Sequence, residues 1–193
     1  MEPVPGATSG TWLLVTSSEG AMIRIIAPLF MTASLMAGLP TTQEALALAF
    51  PGAQFTRQEH WLTEAQAQRV KDLAGTPLPG LWQVAYEARR AGELVGVGFL
   101  DTHRVRTLPE TVLVAVAPDG RILRVEVVAF REPPEYIAKD VWMRQFDGKQ
   151  LDSQLTLKGA IRPLAGSTLT ANSLTDAARR SLALHRLFYG EAK

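Results

Sequence analysis

The chain has no cysteine, which excludes disulfides, thiolate metal sites, iron–sulfur clusters, cysteine nucleophiles and a cysteine-borne lipid anchor. Histidine is nearly as scarce. His60, His103 and His185 lie far apart in the sequence, so no histidine-based metal site is expected. An excess of either charge is also missing: 20 Lys and Arg against 19 Asp and Glu leave a formal net charge of +1. Nucleic acid is therefore not an expected partner, because it calls for a basic stripe or patch. No apolar run reaches the roughly 20 residues of a comfortable membrane span. No Ser/His/Asp set and no pair of carboxylates stands out at catalytic spacing, and we assign no catalytic residue. What remains is a 193-residue chain, 47% hydrophobic and 20% charged, ample for one ordinary domain with additions.

Residues 1–21 carry Pro, Gly, Ser and Thr around one short apolar piece, Trp12-Leu13-Leu14-Val15. Arg24 is then followed by an apolar run from Ile25 to Ala37 and by Gly38. One positive charge, about a dozen apolar residues and a small-residue exit are the three parts of a secretory signal. We expect Met22 to be the natural start and cleavage to fall near Ala37, with a buried helix or an uncleaved anchor as the alternatives. Residues 1–40 are thus set apart as an upstream segment and signal peptide or N-terminal anchor. The expected location is periplasmic or otherwise extracytoplasmic.

Residues 41–80 read as a helical lead-in. Thr41-Thr42-Gln43-Glu44 and Thr63-Glu64-Ala65-Gln66 each fit a capping box that opens a short helix. Pro51-Gly52 and Gly75 stop the two helices, with a strand-like piece from Gln54 to Leu62 between them. From Leu81 the hydrophobic period changes from that of a helix to two. Strands are expected from Trp82, over Glu93–Asp101, over Thr111–Ala117 and over Ile122–Phe130, with turns at Arg90-Ala91-Gly92 and Pro118-Asp119-Gly120. In the last strand Leu123, Val125, Val127 and Ala129 are expected on one face, Arg124 and Glu126 on the other. A helix is expected over Tyr136–Phe146 and a final one from about Ala171 to Tyr189. The latter carries Leu174, Ala177, Ala178, Leu182, Leu184 and Phe188 on one face and Asp176, Arg179, Arg180 and Arg186 on the other. The fold class is α+β: an antiparallel sheet of hairpins with helices packed on one side.

Directly before the final helix stands Ala165-Gly166-Ser167-Thr168-Leu169-Thr170-Ala171-Asn172-Ser173. A phosphate wants backbone N–H groups, little steric hindrance and the positive end of a helix dipole. Gly166 removes a side chain, Ser167, Thr168 and Thr170 supply hydroxyls, and a helix begins within a few residues. The same residues also suit an ordinary helix N-cap.

Five pieces occur in order: Gly96-Val97-Gly98-Phe99, Pro118-Asp119-Gly120, Glu132-Pro133-Pro134, Gln145-Phe146-Asp147-Gly148-Lys149 and Ala165-Gly166-Ser167-Thr168-Leu169-Thr170. Together they make the block from about Leu81 to Leu187 resemble the FMN-binding domain found in the C subunit of the sodium-pumping NADH:quinone oxidoreductase and the G subunit of the Rnf complex. The resemblance makes 81–193 an FMN-binding domain and implies FMN as cofactor, joined through its phosphate to Thr168 by a flavin transferase. It draws Gly166, Ser167, Leu169 and Thr170 into the same site. It also implies approach of the flavin by His103, by Glu132 on its rigid Pro-Pro turn, and by Trp142, which otherwise serves as core. Three positions depart from the family's pattern: Ala165 replaces Ser or Thr, Ser167 replaces Ala, and Arg162 replaces an Asp six residues before the Thr. The implied function is extracytoplasmic electron transfer, as a module rather than a stand-alone enzyme. Its partners would be the flavin transferase and membrane or periplasmic redox proteins. A non-redox binding or sensor domain of the same fold is the alternative.

Overall fold

The computed structural model describes residues 38–190. The expected signal segment, the start at Met22 and the cleavage near Ala37 lie outside the described residues. Helix α1 (Thr42–Ala49) opens as its capping box predicts: the Thr41 hydroxyl accepts from the Glu44 N–H, and the Glu44 carboxylate accepts the Thr41 N–H at 2.8 Å. Helix α2 (Glu64–Ala74) repeats the device with Thr63 and Gln66 and ends on Gly75 in the left-handed conformation.

Between these helices, β1 (Gln54–Trp61) joins the sheet by pairing along its whole length with β2 (Trp82–Arg90). The 41–80 segment therefore contributes a strand to the same sheet as the later hairpins. Strands β3 (Glu93–Arg104), β4 (Pro109–Val116) and β5 (Ile122–Phe130) complete a five-stranded antiparallel meander in sequence order. Ala91 and Gly92, both at positive φ, form the two-residue turn between β2 and β3, the conformation that matches strand twist.

Alternation along the strands divides the apolar residues between two cores. Val97, Phe99, Val112, Val114 and Val116 face a large core shared with α4 (Thr168–Phe188), whose Leu174, Ala177, Ala178, Leu182 and Leu184 are buried as the period predicts. Leu113, Ala115 and Ala88 face the other way and pack with Ala45, Leu46 and Phe50 of α1. The short helix thus closes part of the second face. Gly96 and Gly98 allow this: a Cβ on Gly96 would sit 2.6 Å from the Val116 carbonyl oxygen and collide with the Phe50 ring, and one on Gly98 would sit 2.7 Å from Leu46 Cδ2.

Four local expectations change. The helix expected over Tyr136–Phe146 is broken into a 3₁₀ turn (Pro134–Tyr136), an extended link at Ile137, and a short α3 (Asp140–Met143) that runs into a second 3₁₀ turn (Arg144–Phe146). The Tyr136 carbonyl, which a continuous helix would use in its own ladder, instead accepts the Thr170 hydroxyl at 2.8 Å. Helix α4 begins at Thr168 rather than near Ala171. A register shift between Ala115 and Val116 buries Ile122 and leaves Leu123 40% exposed. Arg180, expected on the polar face of α4, is buried against Asp101 of β3. Its neighbour Arg179 donates to the carbonyls of Ala74, Asp152 and Leu155, tying α4 to the end of α2.

Candidate functional site

The first turn of α4 is open. Its first rung is the Ala171 N–H to the Ser167 carbonyl at 3.0 Å, so the N–H groups of Thr168, Leu169 and Thr170 precede the helix's own hydrogen bonds. Ser167 occupies the cap position but makes no capping hydrogen bond through its side chain. Gly166, at φ +75°, turns the chain into the helix, and the Ser167 N–H donates back to Leu164 at 3.1 Å. Thr168 is exposed, whereas Thr170 is 1% exposed and commits its hydroxyl to Tyr136.

Facing this turn is the tip of the β3–β4 hairpin, closed by the Val105 N–H to the Leu108 carbonyl. Three consecutive N–H groups, those of Arg106, Thr107 and Leu108, donate to the same carboxylate oxygen, Glu132 Oε1, at 3.1, 2.7 and 2.8 Å. Consecutive amides of this kind form an anion-binding nest. The N–H groups of Leu108 and Thr107 hold the Glu132 carboxyl below its ordinary range, against the effect of burial. Arg106 swings over the Tyr136 ring at 4.9 Å, within cation–π range. Hairpin tip and helix start enclose a cavity of about 210 Å³, lined by Arg106, Glu132, Tyr136 and Gly166–Thr170.

Ser167 also lines a second, larger cleft of about 880 Å³. Its apolar wall includes Ile137, Trp142 and Leu164, and its rim carries Lys139, Lys149 and Arg162. Trp142 is fixed from both sides: its Nε1–H donates to the Arg162 carbonyl at 2.9 Å and its ring meets Phe146 edge-on. Gln145 Oε1 accepts the Arg162 N–H at 2.9 Å. Structure therefore gathers Gly166, Ser167, Thr168, Leu169, Thr170, Glu132 and Trp142 around two clefts that meet at Ser167.

His103 is not among them. It lies within β3, with 7% of its side chain exposed, and its ring nitrogens engage Asp101 at 2.8 Å and Glu110 at 3.0 Å. Asp101 in turn receives two hydrogen bonds from Arg180, at 2.7 and 2.8 Å. Burial alone would lower the His103 pKa, but the hydrogen bonds to Asp101 and Glu110 outweigh it and raise the value. Burial likewise opposes ionisation of Asp101, and the bonds from Arg180 and His103 reverse that and lower its pKa. With both ring nitrogens engaged by carboxylates, His103 belongs to the polar cluster that Asp101 shares with Arg180 of α4.

The sequence reading missed Arg106, Tyr136, Lys139 and Lys149. One signal was available for Arg106, since it falls in the short turn after Arg104 that separates two strand-like stretches. The others depend on how the broken 134–146 segment folds back.

An α+β sheet with an open helix start beside an aromatic-walled cleft is an architecture for holding a phosphorylated cofactor. Residues 108–183 match the FMN-binding domain family, a family whose description implies FMN as cofactor. Over 115 residues it is 31% identical to the G subunit of the ion-translocating oxidoreductase complex of Stutzerimonas stutzeri, a distant homology covering 53% of this chain and 50% of that protein. The chain thus spans about half the length of this curated relative. The family match includes Glu132, Trp142 and the 166–170 loop, and begins after Arg106 and His103.

Proposed function

We propose that this protein is an extracytoplasmic electron-transfer module. Its FMN phosphate sits on the first turn of α4, its flavin ring lies in the larger cleft, and the phosphate is esterified to Thr168. The observation that carries this reading is the contrast between the two amide nests lining the small cavity. The nest at Arg106-Thr107-Leu108 is filled by the protein's own Glu132, whereas the one at Thr168-Leu169-Thr170 has no side-chain cap. An anion bound there gains the free N–H groups and the helix dipole.

The neighbouring residues fit FMN. The 880 Å³ cleft lies within the roughly 300–1,000 Å³ usual for small-ligand sites. Trp142 offers it an aromatic wall held in place by two contacts. Lys139, Lys149 and Arg162 place positive charge on its rim, which favours a ligand that gains negative charge. When bound, FMN supplies the one- or two-electron chemistry, and the protein binds it and tunes its environment. Thr168 presents its hydroxyl to solvent, where a transferase has access. The transfer would form a bond between Thr168 Oγ1 and the flavin-side phosphorus of a flavin dinucleotide and break its P–O–P anhydride, with the other half leaving as a nucleoside monophosphate and the hydroxyl proton passing to a base.

A permanent link suits a protein that cannot recapture lost cofactor outside the cytoplasm, and the Arg24 to Gly38 pattern supports that location. The name of the Stutzerimonas relative, a subunit of an oxidoreductase complex, supports redox-protein partners. To test the proposal, the protein is co-expressed with a flavin transferase and denatured on a gel. Fluorescence that stays with the wild-type band and is lost in Thr168→Ala supports the ester. Yellow protein that sheds its flavin on denaturation retains the site and removes the covalent bond, as the altered Arg162, Ala165 and Ser167 would then explain. Wild type with neither colour nor label overturns the reading.

A further inference from the structure

We propose that Arg106 is a phosphate-neutralising residue of this site and makes it select phosphorylated over unphosphorylated flavin. The inference rests on the FMN reading above. Arg106 lies outside the stretch that matches the family and reaches the site only through the hairpin tip.

Four observations converge on it. Arg106 lines the same cavity as Gly166–Thr170. Among the described residues no carboxylate ion-pairs with its guanidinium, although Glu132 is close enough to accept its backbone N–H at 3.1 Å. That carboxylate accepts the three hairpin amides through Oε1 and keeps its charge, so it lines the same cavity as Arg106 without pairing with the guanidinium. The guanidinium is instead parked over the Tyr136 ring at 4.9 Å, and the Tyr136 carbonyl is bonded to Thr170 within the first turn of α4. Finally, Ser167 lines the same cavity and its hydroxyl makes no capping bond, so it is left uncommitted to the helix. A cation, the positive end of a helix and a hydroxyl outside the helix cap converge on one small cavity whose lining carboxylate, Glu132, already has Oε1 taken up by three amides, so a further anion gains partners there.

The ligand class is a phosphate monoester or diester. A guanidinium meets two phosphate oxygens side by side, which an ammonium cannot do. Arg106→Lys is therefore expected to recover only part of what Arg106→Gln loses.

The experiment compares FMN and riboflavin binding to transferase-free protein, by quenching of flavin fluorescence. Wild type is expected to prefer FMN. Arg106→Gln is expected to weaken FMN about tenfold, the loss of one charge-assisted contact, and to leave riboflavin affinity unchanged. An equal loss for both flavins would make Arg106 a structural residue and overturn the proposal, as would unchanged FMN affinity. Failure of wild type to bind FMN at all would instead remove the flavin reading, so the two failures are distinguishable. Inorganic phosphate serves as a flavin-independent probe: it should raise the melting temperature of wild type more than that of Arg106→Gln, and equal shifts would refute the assignment.

Discussion

Replacing Arg180 by Met tests whether the buried polar knot under α4 holds the helix to the sheet. Arg180 and Asp101 are 5% and 3% exposed and share two hydrogen bonds of 2.7 and 2.8 Å. Methionine keeps most of the apolar contact but removes the cation, which leaves Asp101 with His103 alone. Breaking a buried pair costs about 3–5 kcal/mol because the surviving charge stays desolvated. His103 offsets part of this, so we expect a loss of about 3 kcal/mol, or about 6–12 °C in melting temperature for a chain of this size. Urea unfolding of Arg180→Met, Asp101→Leu and the double variant should show a coupling of at least about 1.5 kcal/mol. The pH dependence gives an independent check. His103 has a raised folded-state pKa, so its contribution is complete below about pH 6.5 and fades as pH rises through that higher value. Removing the nearby Arg180 cation raises it further, so the variant should lose stability more steeply than wild type above pH 6.5. Asp101, with a lowered pKa, contributes fully above about pH 4 and loses its contribution as pH falls through that lower value. A loss below 1 kcal/mol at pH 7, or additive single variants, would refute the reasoning.

Glu132→Ala should free the hairpin-tip amides, seen as faster hydrogen exchange at Thr107 and Leu108. In wild type the same protection should persist at neutral pH and fade as acid titrates the lowered Glu132 carboxyl. Gly96→Ala should destabilise by about 2 kcal/mol or more in denaturant melts, since its Cβ meets the Val116 backbone oxygen, which cannot rotate away. Trp142→Phe keeps the edge-on contact to Phe146 but drops the bond to the Arg162 carbonyl. Flavin affinity should fall by less than tenfold, whereas Trp142→Ala should lower it further; equal effects would mean that the ring contributes nothing.

Much of the fold was legible because its signals are local. Both capping boxes, the turn at Arg90-Ala91-Gly92 and the alternation in β2 each lie within a few residues of sequence. The buried face of α4 was legible for the same reason, through its helical period. What escaped depends on partners far away in the chain. Arg180 looks like a surface residue until Asp101, 79 positions earlier, takes it into the core. The segment 136–146, expected as one helix, is instead broken at Ile137 and Lys139, and the Tyr136 carbonyl accepts the Thr170 hydroxyl from 34 positions away. His103 was placed near the flavin from its position in the hairpin, but its two carboxylate neighbours are visible only once β3 and β4 are in register. The 166–170 loop was legible as a hydroxyl-rich stretch before a helix, yet Arg106, which lines the same cavity, comes from the opposite hairpin.

The way α4 is held bears on where function can reside. Along about 30 Å of helix, its middle is committed: Arg179 ties it to three carbonyls, Arg180 to Asp101, and its leucines and alanines to the sheet. Its first turn is fixed in position by Thr170 on Tyr136 and by Ser167 on Leu164, yet those bonds use neither the free N–H groups of Thr168, Leu169 and Thr170 nor the Thr168 hydroxyl. A helix end that is immobilised by its neighbours and left chemically open is preorganised for a ligand, since binding there costs little additional ordering. Hydrogen exchange of the first-turn amides in flavin-free protein should therefore match that of an anchored helix end. Fraying there would mean that the ligand, rather than the fold, builds the site.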